Sequence, residues 1–161
     1  MSSDILIKPI KKADLKELVQ LYKEAGWWES SWDKNPEFLN DIVKNSALFV
    51  GAFSEKKLIG MGRALSDLAS DAYIQDLAVL KEFRGKGIGK KIIRTLIEKL
   101  KKNGVDWIGL VAKPGTSFFY RKLGFEVLCG HDPLIYKGLT NCHEADLAVD
   151  RGLPHKINNF D

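Results

Sequence analysis

Apolar residues recur along this chain with two different periods, and the switches between them mark out the elements. A short strand is expected over 5–9, and a helix over 12–25, where Leu15, Leu18, Val19 and Tyr22 fall at helical spacing. Gly26 stands where a helix C-terminal residue belongs. Asn35-Pro36 is a helix start, and Phe38, Leu39, Ile42 and Val43 place one apolar side on a second helix running to about residue 44. Apolar runs at 47–53, 58–65 and 73–80, separated by the polar turns 54–57 and 66–70, predict an antiparallel meander. A third helix, with Ile88, Ile92, Leu96 and Leu100 at four-residue intervals and Ile93 and Ile97 alongside, runs to Asn103-Gly104. Its opposite side is Lys91, Arg94, Glu98, Lys101 and Lys102. A strand over 105–112 follows, parallel to the 73–80 strand because a helical crossover joins them. A short helix is expected over 114–123, then two short strands, 125–128 and 134–137, around Gly130-His131-Asp132-Pro133. The tail, 138–161, is polar and irregular.

Composition adds bounds rather than detail. A chain of 161 residues with 45% hydrophobic and 29% charged content fits one domain that buries a core without disulfides. No apolar run is long enough to span a bilayer, and MSSDILIKPI lacks the basic and apolar regions of a secretion signal, so a cytoplasmic protein with no membrane partner is expected. Cys129 and Cys142 have no metal-ligand spacing, and two free thiols fit them better than a disulfide. His143 and His155 with Cys142 make no zinc pattern, so no metal is expected. The net charge of +4 permits nucleic-acid binding without arguing for it. Much of the excess lies on the third helix and its loop, whose basic face lacks interleaved aromatics, and a solvated surface beside a local anionic ligand accounts for it; no nucleic-acid partner is expected.

Between the 73–80 strand and the third helix lies the candidate chemistry: Arg84-Gly85-Lys86-Gly87-Ile88-Gly89, with Lys90 next. Glycines let successive N–H groups point into one concavity, and a helix opening there adds its first-turn N–H groups and the positive end of its dipole. The residues support a phosphate cradle, although such turns also pack a helix closely on a sheet. Neither the Walker spacing nor the dinucleotide fingerprint fits, since Lys90 stands where the latter needs a third small residue. Elsewhere, Gly26-Trp27-Trp28-Glu29-Ser30-Ser31-Trp32 concentrates aromatic faces in a loop. These rings either cap the core or line an acceptor pocket.

The element order, with two motifs, resembles the GNAT superfamily of N-acetyltransferases. Leu77-Ala-Val-Leu-Lys-Glu-Phe-Arg-Gly-Lys-Gly-Ile-Gly89 matches the family's acetyl-CoA loop, with Arg84, Gly87 and Gly89 in the defining places, and Phe119-Tyr-Arg-Lys-Leu-Gly-Phe125 is similar to its second signature. The resemblance covers about residues 5–137. It implies an α/β (α+β) fold with a central mixed, mainly antiparallel sheet, splayed parallel strands at its centre and about four flanking helices. A domain over 1–137 and a tail over 138–161, packed on the domain or at an oligomer interface, follow from that match.

The implied function is transfer of an acetyl group from acetyl-CoA, as co-substrate, to a primary amine on a small molecule or peptide. The resemblance places the CoA pyrophosphate on the backbone of Arg84, Gly85, Lys86, Gly87, Ile88 and Gly89, with Lys90 beside it. Leu77, Ala78 and Val79 would pair with the pantetheine arm, and Tyr120 would protonate the leaving sulfur. Asp76 is either the base that takes the amine proton or a structural carboxylate, and Tyr73 and Gln75, on the opposite strand face by simple alternation, would position water or the acceptor together with Trp27 and Trp28. Many members carry an asparagine where Lys113 stands, so Lys113 and Ser117 are the substitutes for its cofactor contact. A catalytically silent acyl-CoA-binding module is the competing class, and homodimer formation through the tail is left open.

Overall fold

The computed structural model describes residues 4–137. Five strands form one sheet in sequential order: β1 (Leu6–Pro9), β2 (Leu48–Ser54), β3 (Lys57–Ser66), β4 (Asp71–Val79) and β5 (Trp107–Gly109). Neighbours from β1 to β4 are antiparallel, whereas β4 and β5 are parallel. Helices α1 (Leu15–Glu24) and α2 (Phe38–Asn45) separate β1 from β2, α3 (Ile88–Lys102) crosses from β4 to β5, and α4 (Ser117–Arg121) follows. This is the mixed sheet with four helices that the sequence predicts.

Local chemistry sets these limits. The Asp14 carboxylate accepts from the Lys16 and Glu17 backbone N–H groups at 2.9 and 3.1 Å, which starts α1 three residues later than hydrophobic spacing suggests. Residues 36 and 37 form a turn before α2, with the Leu39 N–H donating to the Pro36 carbonyl at 3.1 Å. The 3-10 segment Ser30–Lys34 carries part of the tryptophan cluster.

The core lies between the sheet and its helices. On α3, Ile88, Ile92, Ile93, Leu96 and Leu100 are buried. The helix comes so close to β3 that a Cβ at Gly62 would stand 2.8 Å from Cγ2 of Ile92. Arg63, the next residue, must face the other way, and its guanidinium meets a carboxylate that also binds Tyr22 of α1. The sheet is therefore covered by α3 on one face and by α1 on the other. Tyr22, Leu18 and Leu21 supply the buried stripe of α1.

Two expectations are corrected. The segments 125–128 and 134–137 form no strands, and 126–137 are exposed, including Leu134, Ile135 and Tyr136. Apolar character in a four-residue run supplies few ladder bonds, and without a paired edge it does not make a strand. Second, β5 shrinks to three residues and closes the described sheet, so the parallel pair lies at its edge rather than at its centre.

Candidate active site

At the end of β4 the chain reaches the glycine turn that the sequence singles out. The Leu80 N–H donates to the Ile59 carbonyl at 2.9 Å, extending the sheet by one bond. A single 3-10 turn, Lys81–Phe83, follows. Glu24 of α1 braces it, its Oε2 accepting from the Lys81 N–H at 2.9 Å. Arg84 folds back, with Nε donating to the Val79 carbonyl at 2.9 Å, so its side chain ties the turn to the strand end. Lys86 stands over the Phe83 ring, 5.0 Å from its centroid.

Gly85 and Gly87 have φ of 71° and 74°, values that a Cβ disfavours, and Gly87 is the residue before the first turn of α3. A Cβ on either would meet no atom within 4 Å. Conformation rather than crowding within the chain therefore demands glycine, and open space lies in front of the turn. The first turn of α3 has no side-chain cap and no acidic residue, while Lys90 and Lys91 are exposed on it. Helical geometry leaves first-turn N–H groups without intrahelical partners, and here they open beside three lysines and an arginine. Such an arrangement of N–H groups and positive charge has the chemistry to receive an anion. Ile88 and Gly89 are buried under it.

Leu77, Ala78 and Val79 are buried on the strand leading into the turn. The β4–β5 ladder runs only from Asp71↔Trp107 to Tyr73↔Gly109, so the last six residues of β4 extend past the end of the parallel pairing. Tyr73 stands at that limit. Burial pushes its hydroxyl above the ordinary tyrosine range, a hydrogen bond with the Val111 backbone pulls it down, and the charge of Asp76 adds to the rise.

Asp76 itself is 5% exposed. Its Oδ2 accepts from the Tyr22 hydroxyl at 2.8 Å and from Arg63 Nε at 2.6 Å. Nη2 of Arg63 also donates to Oε1 of Gln75 at 2.8 Å. Gln75 and Asp76 thus reach one guanidinium, which strict alternation forbids. The positive φ of Asp76, 49°, breaks the alternation at this point. Desolvation, followed by the charge of Asp76 and its hydrogen bond, raises the Tyr22 hydroxyl far above the ordinary range, while Arg63 opposes the shift. Tyr22 is therefore a neutral donor at any ordinary pH.

Tyr120, on α4, is buried edge-on between Phe119 and Phe125, with centroids 5.0 and 6.0 Å away. Ser117 begins α4 and is exposed, as is Lys113 in the loop before it. The two tryptophans assigned to the acceptor separate. Trp27 is in the core, edge-on to Tyr22 at 5.4 Å. Trp28 is half-buried, donates from Nε1 to Oδ1 of Asp33 at 3.0 Å, and joins Trp32 and Phe38 in one aromatic cluster. Cys142, His143 and His155 lie outside the described residues.

Sequence reasoning missed Arg63 and Tyr22. The signal available was an arginine inside the otherwise apolar β3, LIGMGRALS, and a tyrosine on the buried stripe of α1.

Comparison with known proteins returns one theme. The model of the acetyltransferase (GNAT) family matches residues 13–125. The uncharacterised N-acetyltransferase ycf52 of Pyropia yezoensis is 35% identical over 126 residues, which cover 76% of this chain and 70% of that protein. GCN5-related N-acetyltransferase 2, chloroplastic, of Arabidopsis thaliana is 42% identical over 85 residues, covering 53% of this chain and 31% of that protein. Among solved structures, PaiA N-acetyltransferase from Thermoplasma acidophilum, in complex with coenzyme A, aligns with a TM-score of 0.61 at 25% identity, covering 74% of this chain and 88% of that one.

Proposed function

Because the chain belongs to the GNAT acetyltransferase family, we propose that it moves an acetyl group from acetyl-CoA to a primary amine by direct attack in a ternary complex. The observation that carries this reading is the open, uncapped turn from Arg84 to Gly89 at the end of a strand that outruns its parallel partner. The pyrophosphate sits on the backbone of Arg84, Gly85, Lys86, Gly87, Ile88 and Gly89, with Lys90 adding charge. The pantetheine arm lies along Leu77, Ala78 and Val79, in the manner of a strand added to an edge. Ser117 and Lys113 flank it at the start of α4. That PaiA N-acetyltransferase was solved with coenzyme A supports the choice of ligand.

In this arrangement a neutral amine attacks the thioester carbon, and a backbone N–H of the 77–79 segment donates to the developing oxyanion. Tyr120 gives its proton to the departing sulfur. An amine with a pKa of about 10.4 must first lose a proton. Asp76, read in the sequence as either the base or a structural carboxylate, is enclosed and engaged by Arg63 and Tyr22, which supports the structural, positioning role, with water relaying the amine proton to solvent. Gln75, Tyr73 and Trp28 border the acceptor side. Trp27 serves the core beneath them.

The catalytic domain comprises 1–137, with 138–161 as a tail, and a cytoplasmic setting stays part of this proposal. Exposed Leu134, Ile135 and Tyr136 support pairing of two copies, which light scattering reads directly. The test of the function is release of free CoA thiol from acetyl-CoA across polyamines, amino acids, aminoglycosides, aromatic amines and peptide termini. Release with at least one class, and an acetylated amine by mass spectrometry, is the expected result. Tight acetyl-CoA binding with no transfer to any class would instead make this a silent acyl-CoA-binding module.

A further inference from the structure

The kink in β4 is locked by a buried polar network rather than tolerated by a glycine. Arg63 pairs with Gln75 and Met61 with Ala78, so between these pairs β3 contributes Gly62 alone while β4 contributes Asp76 and Leu77. Two residues opposite one is a bulge, which twists a strand and disrupts its ladder. Here the extra residue has φ of 49°, and it is an aspartate. Aspartate visits that region more readily than most residues, but not without cost.

Three elements hold it there. Tyr22 of α1 donates to Oδ2 at 2.8 Å, and Arg63 of β3 donates to the same atom at 2.6 Å. The other arm of the guanidinium grips Gln75, the residue just before the bulge, at 2.8 Å. The bonds exist only in the bulged form, because regular alternation would turn residue 76 toward α3, away from both donors. An enclosed carboxylate deprived of them would be costly, so the network penalises flattening of the strand. A buried ion pair is weak evidence for stability but a recognised way to specify one geometry. The specified geometry matters because Leu77, Ala78 and Val79 come immediately after it, and β4 runs on past its pairing with β5.

We propose that Arg63 and Tyr22 are positioning residues of the donor slot: acting through the Asp76 carboxylate, they hold the left-handed bulge that presents the 77–79 backbone to acetyl-CoA. This rests on the donor reading above. The test separates loss of the ion pair from loss of the bulge. Two full-length double variants, Arg63→Met/Asp76→Gly and Arg63→Met/Asp76→Ala, remove the same charges, but only glycine adopts φ near 50° unaided. Acetyl-CoA affinity is measured by calorimetry well below each variant's melting temperature, with stoichiometry counting the folded fraction.

The glycine variant is expected within about threefold of the unaltered chain, and the alanine variant at least about tenfold weaker. Equal affinities in the two folded variants overturn the proposal. Should the alanine variant not fold, Tyr22→Phe keeps the question open to decision: it removes one hydroxyl, retains the ring against Trp27, and is expected to weaken acetyl-CoA about threefold. Unchanged affinity in that variant overturns the proposal equally. Absence of acetyl-CoA binding by the unaltered chain would overturn the donor reading and this inference together, whereas normal binding by the unaltered chain with indifferent variants would overturn this inference alone.

Discussion

Tyr120 carries the chemical step proposed for a single side chain. Tyr120→Phe keeps the ring between Phe119 and Phe125 and should leave acetyl-CoA affinity near its original value while lowering kcat roughly tenfold or more; stopped-flow and steady-state assays distinguish the two. Unchanged kcat, with chemistry shown to limit, would remove Tyr120 from the mechanism. Tyr22 makes a prediction in pH. Its folded-state hydroxyl is raised, so its contribution to stability is fully present below the unfolded tyrosine value of about 10 and is lost as pH rises beyond that toward the folded value. Urea unfolding between about pH 9 and 11, around that value, should show a shallower loss of stability for Tyr22→Phe than for the unaltered chain. The motif that carries Tyr120 was legible in the sequence because it is local. The partners of Asp76 were not: Tyr22 lies 54 positions away and Arg63 lies 13 away on a different strand, and only the bulge brings the three together.

At the scale of elements, the turn and α3 are the most consequential unit, and they were also the easiest to read. Gly87→Ala forces a Cβ onto φ of 74° with no atom to clash against, so the cost is backbone strain of about 1 kcal/mol. A modest fall in melting temperature is expected, together with a much larger fall in acetyl-CoA affinity, because alanine disfavours the turn conformation on which the proposed pyrophosphate contacts depend. A purely thermal effect would place this glycine in folding alone. Gly62→Ala falls chiefly on stability, since its Cβ would press on Ile92 at 2.8 Å, costing about 1–3 kcal/mol through overpacking, and its 3.3 Å contact with Leu77 is expected to weaken acetyl-CoA binding as well. Helical periodicity predicted α3 nearly to its ends and α1 except for its first three residues, because each is amphipathic by itself. The strands expected over 125–128 and 134–137 failed for the converse reason: pairing is a property of two segments, and a four-residue run with three apolar residues cannot announce whether a partner edge will meet it.

For the molecule as a whole, Arg84, Lys86, Lys90 and Lys91 stand at the turn where the donor is proposed to bind. Acetyl-CoA affinity should therefore weaken as salt rises, whereas a ligand held by apolar contact would show little dependence. The matched family region, 13–125, and every proposed donor contact lie before residue 138. A chain ending at Lys137 is accordingly expected to bind acetyl-CoA like the full chain. The fold and the glycine turn were readable because both are written in local pattern, while an acceptor side was not, since its candidate residues come from a strand and a loop whose meeting is tertiary. Trp27 illustrates this: its sequence neighbourhood resembles a pocket lining, and its place is the core. The most direct measurement is titration of acetyl-CoA followed by backbone amide chemical shifts. The largest changes should fall on Arg84, Gly85, Lys86, Gly87, Ile88 and Gly89 and on Leu77, Ala78 and Val79, with basic-face residues such as Arg94 and Lys101 little moved. Saturable binding that left the turn and the end of β4 unperturbed would contradict the donor site outright.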